Sequence, residues 1–143
     1  MTGFVLDASV TMTWLLADGE PGDGAYAAAV LEALRDPASQ AEVPVTWGLE
    51  VANVLARAEA RDLLNEAQSE AFLEMLSSIP IQADNATFAH ALADVLQLAR
   101  RHRLSSYDAS YLELALRGGL PLATLDADLA RAARKAGVKR FLA

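Results

Sequence analysis

The sequence contains no cysteine, and this absence removes several kinds of site. Disulfide bonds, thiol catalysis and cysteine-based zinc sites are all excluded. Histidine is scarce as well, because only His90 and His102 carry an imidazole. We therefore expect any metal ion to be held by oxygen ligands, which magnesium and manganese prefer.

Long hydrophobic runs are also missing, and no basic N-terminal segment is followed by an apolar one. These absences argue against a membrane span and against a secretory leader, so we expect a cytoplasmic protein. With 143 residues, of which 53% are hydrophobic and 22% charged, the chain is predicted to fold as one domain over residues 1–143.

Basic residues are rare over most of the chain. Residues 1–99 hold three basic and fifteen acidic residues, whereas residues 100–143 hold nine basic and four acidic ones. The net charge of −7 argues against a protein that coats nucleic acid by overall charge. The basic C-terminal part favours contact with a polyanion, although the same charges could simply form a solvated surface.

Short apolar runs alternate with helical patterns along the chain. Residues 4–6 form a run that is too short for a helix and typical of a strand buried on both faces. Further strands are predicted at 42–45, 80–83, 120–124 and 138–142, with helices or helix pairs between them. This alternation predicts an α/β fold with a parallel sheet of four to five strands and helices on both faces.

The pattern also predicts helix ends and buried helix faces. Asn65 and Gln68 have capping-box spacing, Thr46 is predicted to cap the helix that follows it, and Gly118-Gly119 is a stop signal. In the helix predicted at 47–61, Leu49, Ala52, Leu55 and Ala56 recur at helical spacing. The helix at about 87–102 is expected to bury Phe88, Leu92, Val95, Leu96 and Ala99.

Four acids follow strands or begin helices, namely Asp7, Glu50, Asp108 and Asp126. Each has an ordinary structural explanation, because acids cap helices and interact well with their N-termini. In a parallel sheet, however, strand ends and the following helix starts share one edge, where ligands bind. Convergence there would raise the carboxyl pKa values by mutual repulsion, a cost that a cation would offset.

The order and spacing of five segments resemble the PIN-domain nucleases, and most closely the VapC toxins of toxin–antitoxin pairs. The segments are Leu6-Asp7-Ala8-Ser9-Val10, Trp14-Leu15-Leu16, Glu50-Val51-Ala52-Asn53-Val54-Leu55, Tyr107-Asp108-Ala109-Ser110-Tyr111-Leu112 and Thr124-Leu125-Asp126-Ala127-Asp128-Leu129. The resemblance extends over essentially the whole chain. It implies a magnesium-dependent endoribonuclease, with manganese as an alternative ion, that forms a homodimer and binds a small cognate antitoxin.

The resemblance also implies the residues of the active site. Asp7, Asp108 and Asp126 would coordinate the ion directly or through water. Glu50 would orient or deprotonate the attacking water, or help to bind a second ion, and the sequence does not decide between one ion and two.

Further residues are predicted to support this site. Ser9 and Thr124 would fix the carboxylates by hydrogen bonds. Asn53 would either support the ligands in the same way or make a structural hydrogen bond from its helix to a loop. Asp128 would either assist the site or belong only to a helix first turn.

Basic and aromatic residues near the acids are candidate RNA contacts. The candidate phosphate contacts are Arg100, Arg101, Arg103, Arg131, Arg134 and Lys135. The candidates for stacking on bases are Trp14, Trp47, Tyr107 and Tyr111, of which Trp14 and Tyr111 fit core stripes better.

Three alternatives remain at this point. The first is a phosphoacceptor domain, either a receiver-like signalling module or a haloacid-dehalogenase-type phosphatase. The phosphatase requires a second aspartate at the position of Ser9. Both types require a lysine near the end of a late strand, and Lys135 and Lys139 are poorly placed for that role. A nuclease-like binding module would be expected to lose some of the four acids, and all are present. A housekeeping RNA-processing nuclease remains compatible with the sequence, which does not identify the target RNA.

Overall fold

The computed structural model describes residues 2–17 and 19–143, which form an α/β fold around a parallel sheet. The strands are β1 (Thr2–Leu6), β2 (Ser39–Val43), β3 (Ile81–Ala83) and β4 (Leu122–Ala123). Their order is β3-β2-β1-β4, and every pairing is parallel. The predicted fold class is confirmed.

The helices are α1 (Ala8–Thr13), α2 (Asp23–Ala33), α3 (Thr46–Ala60), α4 (Glu66–Ser77), α5 (Thr87–His90), α6 (Leu96–His102), α7 (Ser106–Gly118) and α8 (Ala127–Lys135). A π-helical turn, Ala91–Val95, joins α5 to α6. In the part of the chain that the structure describes, no helix has the length and apolar character needed to cross a membrane.

Strand β1 lies at the centre of the fold because both of its faces are apolar. Side chains alternate across a strand, so Val5 packs with the core under α7 and α8, whereas Phe4 and Leu6 pack with the core under α2. All three side chains are fully buried. Helices therefore cover both faces of the sheet, as predicted.

The predicted fifth strand is reduced to a single parallel bridge between Leu122 and Arg140. Strand β4 has only two residues, so it offers little edge for a further strand to pair with. Phe141 nevertheless fixes this segment, because its ring stacks on the ring of Phe4 with a centroid distance of 3.8 Å.

Most of the predicted helix ends are confirmed. Asn65 and Gln68 form the expected capping box, and Gly119 ends α7 with a left-handed backbone that glycine accepts readily. The prediction for Thr46 is wrong, because Val45 is the capping position of α3 and makes no side-chain cap. The hydroxyl of Thr46 instead hydrogen-bonds the hydroxyl of Ser110 at 2.8 Å and joins α3 to α7.

The predicted inner face of the helix at 87–102 is wrong in part. Phe88 and Leu92 are 90% and 89% exposed, and Leu96 is exposed as well, whereas Val95 is buried. The π-helical turn contains more residues per turn than an α-helix. Inward-facing positions therefore recur every four residues, at 87, 91, 95 and 99, and the residues one step later face outward.

The residues of α3 that recur at helical spacing do not coincide with its buried face. Leu55 is buried, but Leu49 is 71% exposed, and Ala52 and Ala56 are exposed too. The side chains that α3 buries are those of Val51, Leu55 and Ala58. The outer residues follow a helical period equally well, so the period alone did not identify the buried side.

Candidate active site

Asp7 lies at the carboxyl end of β1, where its backbone N–H donates to the carbonyl oxygen of Ala123 at 2.9 Å. The residue is only 3% exposed. The hydroxyl groups of Ser9 and Thr124 both donate to its Oδ2, at 2.6 and 2.7 Å. Two hydrogen bonds to one oxygen hold this carboxylate in a single orientation.

Backbone groups in turn hold the two hydroxyls. The N–H of Leu125 donates to Ser9 Oγ at 2.9 Å, and the N–H of Asp126 donates to Thr124 Oγ1 at 3.0 Å. Each hydroxyl therefore accepts from the backbone and gives its one proton to Asp7. The structure places Ser9 and Thr124 where the sequence predicted them, against a carboxylate.

Glu50 is the fifth residue of α3, one turn further into the helix than its first turn, and is half-buried. The hydroxyl of Tyr111, on α7, donates to Glu50 Oε1 at 2.6 Å. Tyr111 is fully buried, which confirms the core position that the sequence favoured for it. Its hydrogen bond was not predicted, although a buried tyrosine hydroxyl needs a partner and Tyr111 stands one turn after Asp108.

Asp108 lies near the start of α7, the last helix before β4, and Asp126 lies at the start of α8, the helix that follows β4. Asp108 is in the first turn of α7, behind the cap that the Ser105 side chain makes to its N–H at 3.1 Å. Asp126 caps α8, because its Oδ1 accepts from the N–H of Leu129 at 2.8 Å. The structural explanation for Asp126 is therefore correct, and the cap leaves Oδ2 for a further partner.

These carboxylates act on one another. Burial raises the pKa of Asp7 to about 6, and the charges of Glu50 and Asp126 add to that shift. The pKa of Asp108 is also raised to about 6, by burial first and then by Asp126 and Asp7. The pKa of Glu50 is raised by burial and by the charges of Asp108 and Asp126. The four acids thus share one edge, and the neighbouring charges that shift these pKa values are all negative.

The four acids do not form a closely packed cluster. Among residues 2–17 and 19–143, the group whose possible ligand atoms all lie within 4.8 Å of one another is His90, Asp94 and Glu113. That group contains none of the predicted acids. Its buried member, Glu113, accepts from Arg117 through both oxygens, at 2.7 and 3.0 Å, so its charge is already offset.

The same arginine extends this ion-pair network to another loop. Arg117 also donates two hydrogen bonds to Asp84, at 3.0 and 2.7 Å. These bonds hold the pKa of Asp84 below its ordinary value. The network joins the loop after β3 to α7, which is a structural role.

Two further predicted residues lie near the acidic edge. Asn53 is exposed on α3, one turn after Glu50. Asp128 is exposed and accepts from Arg131 at 2.9 Å, and its charge contributes to the raised pKa of Asp108. Asp128 therefore lies close to the site while it is paired with a cation.

The predicted basic residues lie on different surfaces of the protein. Arg101 and Arg103 line one pocket of about 380 Å³, whereas Arg134 lines another of about 100 Å³ together with Lys139 and Arg140. Arg100 is exposed on α6.

The aromatic candidates differ in how far their rings are exposed. The indole N–H of Trp14 donates to Ala27 O at 2.8 Å, and that of Trp47 donates to Thr11 Oγ1 at 3.0 Å. Both rings pack against the core. Tyr107 is 61% exposed, so it is the candidate whose ring is accessible to a base.

Comparison with known proteins identifies the family of this chain. The family model described as PIN domain matches residues 4–135. A Pyrobaculum aerophilum protein named Ribonuclease VapC3 is 38% identical over 81 residues, which are 57% of this chain and 62% of the relative. A Mycobacterium tuberculosis protein of the same name is 37% identical over 91 residues, 62% of each chain. The chain thus spans less than two thirds of these relatives.

Solved structures show the same architecture. PAE2754 from Pyrobaculum aerophilum is 26% identical, with a TM-score of 0.63 over 92% of this chain and 79% of that one. FitAcB from Neisseria gonorrhoeae is 19% identical, with a TM-score of 0.54 over 96% of both chains, and this likeness concerns the fold.

Proposed function

Since this chain belongs to the PIN-domain family, we propose that it is a metal-dependent endoribonuclease, the VapC-type toxin of a toxin–antitoxin pair. The observation that carries this proposal is the set of four carboxylates at the carboxyl edge of the sheet, with neighbouring charges of the same sign. Relatives that carry the name ribonuclease support the choice of RNA as substrate.

The donor set fits a hard divalent cation, and we propose magnesium, with manganese as the alternative. Asp7, Asp108 and Asp126 would hold it, in part through water, because their separation exceeds that of a compact ligand cluster. When bound, the ion would lower the pKa of a water molecule and offset charge on the phosphate oxygens. Each acid lies on a different secondary-structure element, so the packing of these elements around the sheet determines the distances between the acids.

The remaining residues would orient the reacting groups. Ser9 and Thr124 hold Asp7 in one orientation. The other carboxylate oxygen of Asp7 is therefore already oriented when it binds the ion. Glu50 has a raised pKa and is half-exposed, and we propose that it takes a proton from an attacking water. Asn53 would support the carboxylates from α3, and Asp128 would act through its charge.

RNA would reach this edge along the basic C-terminal part of the chain. Arg100, Arg101, Arg103 and Arg134 are the proposed phosphate contacts, and Tyr107 is the proposed stacking residue. The acidic edge by itself repels a polyanion, so cations beside it are needed to hold the strand in place.

For the antitoxin we propose the apolar groove between α3 and α4, of about 560 Å³, lined by Val51, Leu55, Leu73 and Leu76 among others. A concave apolar surface between two helices suits the apolar face of a third helix. Leu49, exposed on the first turns of α3, carries this apolar surface toward Glu50. A partner in the groove would therefore reach the active edge.

For the homodimer we propose the exposed ridge of Phe88 and Leu92, which lie one turn apart. A convex apolar ridge on a helix can pair with its own copy across a two-fold axis. A cytoplasmic location and the extent of the domain, residues 1–143, remain predictions.

The deciding experiment is RNA cleavage by the purified protein with magnesium and with EDTA. We expect cleavage that stops in EDTA and falls at least about a hundredfold in Asp7→Asn and Asp108→Asn, since metal-ion catalysis is lost. Asp94→Asn is the matched control, because it removes the same charge from the His90 cluster. If Asp94→Asn loses activity while Asp7→Asn keeps it, the acidic edge is not the active site.

A further inference from the structure

A second surface beside the acidic edge has the chemistry of an anion site. The C-terminal end of α6 and one side of α8 enclose a pocket of about 380 Å³. Its lining residues are Arg101, His102, Arg103, Arg131, Ala132 and Lys135. Four permanently charged cations thus face one cavity, and none of its lining residues carries a carboxylate.

The backbone of Arg103 is unusual for an arginine. Arg103 ends α6 with φ of 54°, in the left-handed region. Glycine is the ordinary residue at such a helix end, because any side chain adds strain there. An arginine in this position is costly for the fold, and Arg103 is one of the residues that line the pocket. The backbone strain therefore lies at the candidate binding surface.

The pocket adjoins the proposed active edge. Arg103 and Asp108 are five positions apart in the chain, so their Cα atoms are at most about 18 Å apart. Asp128 lies between the two regions, since its charge acts on Asp108 and its carboxylate accepts from Arg131 at 2.9 Å. That ion pair orients Arg131 and leaves three other permanent cations in the pocket.

We propose that this pocket binds a backbone phosphate of the same RNA strand that the acidic edge cleaves. The inference rests on the proposed ribonuclease function and deepens it, because it places the contacts of Arg101 and Arg103 in one pocket and adds Arg131 and Lys135 to them. Guanidinium groups match phosphate oxygens in a two-pronged geometry, and an ammonium group adds charge at the same place. The apolar groove proposed for a protein partner lies on α3 and α4, so the basic pocket remains available to RNA.

The test measures binding of an uncleaved single-stranded RNA dodecamer in EDTA over a range of salt concentrations. The pocket variant is Arg103→Gly/Lys135→Gln, in which glycine suits the backbone and preserves the fold. The control is Arg57→Gln/Arg61→Gln, which removes the same charge from exposed positions at the end of α3. Cleavage with magnesium is then measured for all three proteins.

We expect the pocket variant to lose two phosphate contacts. The slope of log affinity against log salt should fall by about 1.4, at about 0.7 per contact for single strands, which corresponds to about 25-fold weaker binding at 0.1 M salt. In cleavage, KM should rise while kcat changes little, because the contact is the same before and during the reaction. The control should match the wild type.

The outcomes separate this inference from the proposed function. If wild type binds and cleaves RNA and the pocket variant keeps the same salt slope and affinity, the pocket does not bind phosphate. The same conclusion follows if the variant loses only its antitoxin, which would assign the pocket to an acidic protein segment. If the wild type neither binds nor cleaves RNA, the proposed function itself fails.

Discussion

The hydroxyl of Tyr111 donates a 2.6 Å hydrogen bond to Glu50 across 61 residues of chain. Tyr111 is fully buried in α7, whereas Glu50 is half-buried at the start of α3. The tyrosine therefore connects the core to one carboxylate of the acidic edge. It is a positioning residue, because it would act on the reaction only through Glu50.

Tyr111→Phe should impair the reaction through Glu50. The hydrogen bond favours the charged carboxylate, so its removal should raise the pKa of Glu50 further above its ordinary value. We expect the acid limb of the pH–rate profile to move to higher pH and kcat to fall about tenfold. Stability should fall by about 2 kcal/mol, as for a hydrogen bond to a charged group.

Tyr107→Phe is the control for this variant, because it removes a hydroxyl from an exposed position on the same helix. Its pH–rate profile and unfolding free energy should match those of the wild type. A Tyr111→Phe enzyme whose stability falls while its pH profile stays unchanged would show that the hydroxyl serves only the core.

The metal-free protein should be more stable at pH 5 than at pH 7.5. Burial raises the pKa of Asp7 from 3.8 to about 6, so the folded state binds this proton more tightly than the unfolded chain does. The contribution is fully present below pH 4 and is lost as the pH rises through about 6. Between pH 5 and 7.5 the expected loss from Asp7 is about 1 kcal/mol, and Asp108 adds less because it is better solvated.

Denaturant unfolding in EDTA at the two pH values measures this effect. The pKa of Asp84 is lowered, so Asp84 stays ionised over this range and does not contribute. Asp7→Asn should reduce the difference between the two pH values, and Glu74→Gln, which removes a charge from an exposed position on α4, should leave it as in the wild type. A wild type that is more stable at pH 7.5 would contradict the raised pKa.

Neutralising an acid at the edge should stabilise the metal-free protein. Asp7→Asn and Asp108→Asn each remove one of several like charges, so both should melt at higher temperature than the wild type in EDTA. Magnesium should stabilise the wild type by mass action and the variants much less. Lower melting in EDTA, together with an unchanged response to magnesium, would show that these acids only support helix ends.

The two apolar surfaces should respond to different substitutions. Phe88→Glu places a charge on the exposed ridge and should convert a dimer to a monomer in sedimentation experiments, without loss of the antitoxin. Leu73→Glu changes the groove between α3 and α4 and should weaken antitoxin binding while the dimer persists. Each variant is the control for the other. A Phe88→Glu protein that sediments as the wild type does would exclude the ridge from the dimer.

The sequence by itself determined the class of fold and the edge on which the acids lie. Strand β1 is apolar at every position from Phe4 to Leu6, so it had to lie between two helical layers. Asp7 and Asp126 stand directly after strands or before helices, and parallel connections bring those positions to one edge. The capping box of α4 needs only residues within one turn, and it formed as predicted.

Tertiary structure decided what depends on residues far apart in the chain. Ser9 and Thr124 meet at one oxygen of Asp7 because β1 and β4 are neighbours. Phe88 fits the apolar period of its segment, yet it is exposed on α5, just before the π-helical turn Ala91–Val95. A local pattern places a residue along its own element, whereas the direction of its side chain and its partner depend on the elements packed against it.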